Sequence, residues 1–548
     1  MAVRRTTPRR TTPRRTTHRA VAAGSGALLL AAVLPGAAAS AQPEACADRV
    51  NDSYAALLEC VTVEGVREHQ AEFQKIADNN TDSDYPGSRS AGTPGYTESV
   101  RYVADRLREA GYVVTLDPVE FVYNFPATLR QLAPAEADLE TGVFTGSGSG
   151  EVEGPVVPVD INLTGDRAST SACEPEDFAG LDLSGPADIA LVQRGTCFFG
   201  DKAQNAAEAG AEAVVVFNQG DAPDREGLIV ADASSVTGVD GPVQQPIPVV
   251  GASFADGEAL AQPGATAYVN VLPPEDRTDY NVVAELPGED FDNVVVAGAH
   301  LDSVPEGPGI NDNASGSAAL LETAIALADL EPRNTLRFAW WAVEELGLIG
   351  STDYVAGLPP WELERIALYL NFDMIGSPNY VQQVYDADQS TYPAPEGVPI
   401  PAGSEAIEDL FEAWYTSVGE PYDDTEFSGR SDYQAFIGAG IPSGGLFTGA
   451  EEVKTDQQVA IWGGTAGEQF DPCYHEACDG NDNVALHALD VNSDLMAFAL
   501  LTYAYSTESV NGVAGVPVPG GDAELPAPAG PEGTFTAGGG GLHPSAAS

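Results

Sequence analysis

The chain has 548 residues, with 25 Lys and Arg against 82 Asp and Glu, and a formal net charge of −57. Charge of that sign and size argues against nucleic acid or anionic lipid as a partner. The 43% apolar share suits a globular protein with a core, at a length that allows two or three domains. Beyond the N-terminus there is no apolar run of about 18 residues that could span a membrane.

The first segment reads as a targeting sequence. Arg4, Arg5, Arg9, Arg10, Arg14, Arg15 and Arg19 precede an apolar run from Ala20 to Pro35, and Ala39-Ser40-Ala41 makes a small-residue cleavage site before Gln42. That order defines a secretory signal peptide. Residues 1–41 are therefore set apart from the fold, and a secreted, extracellular protein of bacterial type is expected. The paired arginines leave the twin-arginine route open beside the general one. Without these arginines the mature chain is more acidic still, a charge that serves solubility and also draws cations.

Residues 42–128 carry an α/β pattern. Val63, Val66, Phe73 and Ile76 recur at helical spacing, and Val100, Val103, Ala104 and Leu107 predict an amphipathic helix over 99–110 that stops at Gly111. The strand Tyr112–Leu116 follows. Over 129–276 the texture changes to short β-rich runs between Gly and Pro turns. Here Ile189–Gln193 leads into Arg194-Gly195-Thr196-Cys197-Phe198-Phe199, a small-residue helix over 202–209, and the buried strand Ala213–Asn218. That series resembles the protease-associated domain. It holds no catalytic constellation, so a structural insert or lid is expected.

From 277 to 507 the α/β pattern resumes, which makes the β-rich region an insertion into one domain. Apolar strands are expected over 294–300, 335–343 and 366–372, and helices over 314–330, 404–418 and 490–505. From residue 508 the chain is rich in Gly, Pro and Ala, with almost no large apolar side chain, and a disordered tail over 508–548 is expected.

Six cysteines in an exported chain point to disulfides. The sequence-local pairing is the economical one: Cys46 with Cys60, Cys173 with Cys197, and Cys473 with Cys478.

Three apolar strands end in residues that hold a metal or move a proton. His300 closes Val294–Ala299, Glu344-Glu345 follow Trp341-Ala342-Val343, and Asp373 follows Asn371-Phe372. In an open α/β sheet, ligands bind outside the carboxyl ends of the strands, so these side chains are expected on one rim. Asp312, in Gly309-Ile310-Asn311-Asp312-Asn313, lies in a loop that can reach it. His475 and Tyr474 sit between Cys473 and Cys478, where a disulfide would hold them rigidly. These donors suffice for two zinc ions, each with two terminal ligands, plus one bridging carboxylate and a spare acid as general base. His300 with Asp373, Glu345 with His475, Asp312 between them and Glu344 spare is the allocation this allows. Neighbouring acids on an extended segment point to opposite sides, but the residues alone leave open which glutamate does which. Asp302, two residues after His300, is placed to accept the imidazole's other N–H.

The strings Ala299-His300-Leu301-Asp302-Ser303, Gly309-Ile310-Asn311-Asp312-Asn313-Ala314-Ser315-Gly316, Glu344-Glu345-Leu346-Gly347, Asn371-Phe372-Asp373-Met374, Gly429-Arg430-Ser431-Asp432-Tyr433 and Cys473-Tyr474-His475 resemble secreted bacterial dizinc leucine aminopeptidases and the aminopeptidase Y group. The resemblance covers about 48–125 and 277–506. It implies a mixed twisted sheet sandwiched by helices, the bacterial dizinc aminopeptidase or phosphorylase-hydrolase-like α/β fold, with an inserted β-rich protease-associated domain. It implies His300, Asp312, Glu345, Asp373 and His475 as zinc ligands, Glu344 as general base and Tyr474 as carbonyl stabiliser. A cis peptide after the bridging aspartate would fall at Asp312–Asn313. Near the substrate it points to Arg430 and Phe447, with Asp424 or Glu426 binding the peptide's ammonium. The expectation is a monomeric metallo-aminopeptidase with two zinc ions, acting on peptide or protein N-termini with large apolar residues such as leucine. Calcium binding is left open. The rivals are a metallocarboxypeptidase of the same fold, disfavoured because cationic anchors are scarce, a single-zinc cyclase, and a non-catalytic receptor-like module, both disfavoured because the ligand set is complete.

Overall fold

The structure, a computed structural model, describes residues 46, 49–239, 241–394 and 398–535. The signal-peptide assignment and tail residues 536–548 lie outside the described residues. Two long helices come first, Val63–Asn79 and Pro94–Glu109. Thr62 and Thr93 begin them, each hydroxyl accepting the N–H of the residue three further on, which satisfies a donor the helix cannot. The second helix starts ahead of the expected Ser99 because Pro94 at its first position already has a helical φ.

The strands are β1 (Val113–Tyr123), β2 (Thr128–Ala133), β3 (Ala137–Leu139), β4 (Gly150–Pro158), β5 (Ile189–Gln193), β6 (Ala213–Phe217), β7 (Val249–Ala252) and β8 (Thr266–Val271). They continue as β9 (Glu275–Leu286), β10 (Asp290–His300), β11 (Asn334–Trp341), β12 (Ile366–Phe372), β13 (Gln383–Tyr385), β14 (Asp423–Thr425) and β15 (Ser443–Phe447). They form an eight-stranded sheet in the order β1-β9-β11-β10-β12-β15-β13-β14 and a seven-stranded sheet in the order β3-β2-β8-β4-β5-β6-β7. β1 and β9 make a long antiparallel ribbon in which Tyr123 faces Glu275. The chain thus leaves the main sheet and returns at neighbouring points, and the second sheet is built wholly from the intervening residues.

In the main sheet β11, β10, β12 and β15 run parallel. Val295, Ala297 and Ala299 of β10 enter one core, and Val294 and Val296 the other. Both faces are covered, which is why these strands read as continuous apolar runs. The larger core packs under the helices Val63–Asn79, Pro94–Glu109, Ala314–Ala326, Ser404–Val418 and Leu486–Tyr505. The smaller packs against Ile349–Gly357 and Tyr433–Gly438. Among the described residues no helix is long and apolar enough to cross a membrane.

All three disulfides take the sequence-local pairing. The expected tail differs: residues 508–535 lie on the main body. Val510 and Val518 are buried in the larger core, with Leu525 packed against it. The Glu532 N–H bonds Tyr422 O at 2.9 Å, and those of Gly533 and Thr534 bond the Asp423 carboxylate at 3.1 and 2.9 Å. Composition decides whether a segment builds a core of its own. It does not decide whether that segment docks on a surface other elements supply.

Candidate metal centre

The carboxyl ends of β10, β11 and β12 meet on one rim, since His300 pairs with Trp341 and Gly298 with Asn371. His300 is the last residue of β10. Glu344 and Glu345 follow β11 in a turn, and Asp373 follows β12. The chain turns sharply there: Val343, before Glu344, has φ 58° and Met374, after Asp373, has φ 51°. Left-handed backbone at such residues costs roughly 1–3 kcal/mol each and clusters at functional sites. Asp312 comes from the loop before the helix Ala314–Ala326, and its peptide to Asn313 is cis, as the resemblance implied. Gly309 opens that loop with φ 61°, and a Cβ there would lie 2.3 Å from Asp312 O, so the approach requires glycine.

Asp312 stands between two imidazoles. Its Oδ1 is 3.1 Å from His300 Nε2, and its Oδ2 is 3.3 Å from His475 Nε2. On the outer sides, Asp373 Oδ1 lies 3.2 Å from His300 Nε2, and Glu345 Oε2 lies 3.1 Å from His475 Nε2. Glu344 Oε2 is 4.0 Å from His300 Nε2. All are buried or nearly so except His475, whose side chain is 42% exposed. Glu345 Oε1 is buried without a hydrogen-bond donor. Two imidazoles and four carboxylates, with an unclaimed oxygen among them, form a mixed nitrogen and oxygen set able to hold divalent transition metals, zinc among them.

The charges are strongly coupled. Burial lowers the pKa of His300, but Asp373 and Glu344 outweigh it and hold the imidazole well above its usual range. Burial acts likewise on His475, and Asp312 and Glu345 raise it to about 10. Burial, with Asp373 and Asp432 adding to it, pushes Glu344 well above the carboxylate range against the pull of His300. Burial and Asp312 raise Glu345 to about 7.

The surrounding contacts correct one expectation. His300 Nδ1 faces the main-chain oxygen of Asp302 at 3.1 Å, while the Asp302 carboxylate is 3.8 Å away. That carboxylate accepts the N–H groups of Glu344 at 3.1 Å and Glu345 at 3.3 Å. Asp302 thus fixes the glutamate turn with its side chain and the histidine with its backbone. Leu301 N–H still bonds Trp341 O at 2.8 Å, so the backbone past His300 stays beside β11, within reach of the glutamate turn.

Tyr474 stacks on His475 with centroids 3.8 Å apart, and its hydroxyl accepts from Arg430 Nη2 at 3.2 Å. Arg430 also pairs with Glu451 at 2.6 Å. Phe447 ends β15 one residue beyond the Phe372–Leu446 pair, on the same rim. Of the two proposed ammonium acids, Asp424 belongs to a different group. Glu426 is exposed. Asp424 is fully buried, accepts from the Ser390 and Thr391 hydroxyls, and groups with Glu408 and Glu412. The short strand β14 turns its side chain inward, which local sequence does not reveal.

Three supporting residues escaped sequence reasoning. Arg89 is fully buried and donates to Pro308 O at 2.8 Å, to Gly309 O at 2.7 Å and to Leu301 O. It clamps the loops that carry His300 and Asp312. Its only signal was a lone arginine in a turn-rich stretch. Ser431 donates to Asp373 Oδ2 at 2.6 Å. Asp479 accepts the N–H groups of Asn311 at 2.8 Å and Asp312 at 3.0 Å, tying the disulfide loop to the central aspartate.

A buried centre of this kind on the carboxyl rim of a mixed α/β sheet defines a metal-dependent hydrolase. The description "Peptidase family M28" matches residues 281–500, and "PA domain" matches residues 152–260. An aminopeptidase of Pseudomonas aeruginosa is 45% identical over 464 residues, covering 83% of each chain. Leucine aminopeptidase 2 of Trichophyton equinum is 38% identical over 424 residues, covering 76% of this chain and 80% of that one. Among solved structures, the aminopeptidase from Aneurinibacillus sp. strain AM-1 has a TM-score of 0.54 at 27% identity, covering 81% of this chain and 95% of that chain. A zinc aminopeptidase from Bacillus subtilis shares the fold with a TM-score of 0.59 at 24% identity, covering 82% and 97%. The chain belongs to peptidase family M28, and a PA domain lies within it.

Proposed function

We propose that the protein is a secreted aminopeptidase that uses two zinc ions to release large apolar N-terminal residues, such as leucine, from peptides. The observation that carries this reading is Asp312, with one carboxylate oxygen facing each of two imidazoles. His300 and Asp373 would hold one ion, His475 and Glu345 the other, with Asp312 shared. Bound there, the ions would supply electrophilic pull on the scissile carbonyl and acidify a water for attack.

The chain's own groups do the rest. Glu344, with Oε2 4.0 Å from His300 Nε2, takes a proton at the centre and gives it to the departing amine. The Tyr474 hydroxyl, which accepts from Arg430, has its own O–H to donate to the developing oxyanion. Ser431 and Asp302 keep Asp373 and the glutamate turn in place. The carboxylates make a field that attracts the ammonium of a peptide N-terminus, and Phe447 offers an apolar surface on the rim. A carboxypeptidase would need a free cation for the terminal carboxylate, and Arg430 is already neutralised by Glu451.

Hydrolysis of leucine p-nitroanilide, with chelator and then with zinc restored, tests this reading. Zinc-dependent turnover of the free amine and none of the N-acetylated substrate is the expected result. Equal turnover of both, or none after zinc is restored, overturns it.

A further inference from the structure

A second group of carboxylates lies at the β13-β14 edge of the main sheet. Asp386 and Asp388 follow β13, Glu408 and Glu412 project from the helix Ser404–Val418, and Asp424 comes from β14. Potential ligand oxygens of Asp386, Asp388 and Glu408 lie within 4.8 Å of one another, as do those of Glu408, Glu412 and Asp424. All are buried except Asp388. Among the described residues no ion pair joins any of them to a Lys, Arg or His.

Asp424 adds an independent observation. It is fully buried, and the Ser390 and Thr391 hydroxyls occupy its Oδ2. Its Oδ1 is shut off from solvent and has no hydrogen-bond donor. A buried carboxylate oxygen with no donor, on a residue grouped with two further buried carboxylates, is costly unless a cation meets it.

We propose that Asp386, Asp388, Glu408, Glu412 and Asp424 form a calcium site centred on Glu408, separate from the Asp312 centre. The donors are all oxygen, with neither imidazole nor thiolate, which selects a hard cation. Carboxylates of irregular placement suit calcium better than magnesium, which demands near-octahedral geometry and retains its waters. Asp386-Ala387-Asp388-Gln389-Ser390 repeats the alternate-residue oxygen spacing of calcium loops. Burial and neighbouring acids push Glu408 up to about 9, Glu412 to about 7 and Asp424 to about 6, so near neutral pH the cluster resists full ionisation unless a cation balances it. A bound ion would fasten the helix to the loop after β13 and to β14. β14 leads into the segment that places Arg430 on Tyr474 and Ser431 on Asp373.

The test uses the full zinc-loaded protein, dialysed free of calcium, with calcium chloride as probe. Equilibrium dialysis counts bound calcium, and thermal unfolding reads its effect. The double variant Glu412→Gln, Asp424→Asn is expected to bind one calcium fewer per chain than wild type. Calcium about a hundredfold above its dissociation constant should raise the wild-type midpoint by roughly 2–5 °C and leave the variant's unchanged. In calcium-free buffer the variant should unfold no lower than wild type, because like-charge repulsion is relieved. Asp388→Asn, at the exposed member, tests the site without touching buried packing, and should weaken calcium binding about tenfold. Equal stoichiometry in wild type and variant, equal midpoint shifts, or a response to magnesium but not calcium overturns the proposal. A cluster that merely shares protons would show no calcium response at all.

Discussion

Replacing Arg89 tests how the centre is held. Its side chain makes three hydrogen bonds to buried carbonyls, those of Leu301, Pro308 and Gly309, while its main-chain N–H bond to Ser303 Oγ at 2.9 Å survives substitution. A buried acceptor left without its donor costs about 1–3 kcal/mol. Gly309 O keeps the Ala314 N–H at 3.1 Å, so two acceptors are orphaned, which puts Arg89→Ala at about 2–6 kcal/mol. That is a large part of the stability of a typical domain, about 5–15 kcal/mol. Arg89→Lys keeps the charge but not the planar fork, and should lose about half as much. The carbonyls belong to the loops bearing His300 and Asp312, so zinc affinity should fall along with stability. Urea unfolding of the zinc-loaded protein reads the first quantity, and zinc retention on dialysis reads the second. A change below about 1 kcal/mol for Arg89→Ala, with zinc retained, would refute the clamp.

Glu344→Gln should lower kcat by at least about a hundredfold, the usual minimum for a general base, with two zinc ions still bound by elemental analysis. Loss of zinc instead would mean that Glu344 is a ligand and that the glutamate roles are exchanged. Mild reduction of Cys473–Cys478 should release the loop carrying His475 and Tyr474, so zinc and turnover should disappear before the circular dichroism of the fold changes. Simultaneous loss of all three signals would show that this bridge supports the whole domain. Lys202 gives a pH signature in the insert: burial lowers it from 10.5 to about 8, so the unfolded chain holds the proton over a range where the folded one has released it. Stability should therefore rise, by at most about 3 kcal/mol, as pH goes from about 8 to 10.5. Lys202→Met should flatten that rise, and a decline over the same window in wild type would contradict the sign.

The sequence by itself determined the chemical inventory. His300, Glu344, Glu345 and Asp373 are legible because each follows an apolar run of buried strand, and the rule that ligands gather beyond parallel strand ends needs only that local pattern. Three sequence-local disulfides were legible for the same reason. Tertiary structure decided what local pattern cannot carry. The Asp302 carboxylate serves the glutamate turn, whose N–H groups lie 42 and 43 residues on in the chain. Asp424 faces Glu408 and Glu412 rather than the Asp312 centre because a three-residue strand turns it inward. Residues 508–535 lie on the body because a segment without a core of its own can dock on one formed elsewhere. Arg89 and Asp479 matter through contacts more than a hundred residues away in the chain, and spacing along a sequence contains no term for such partners.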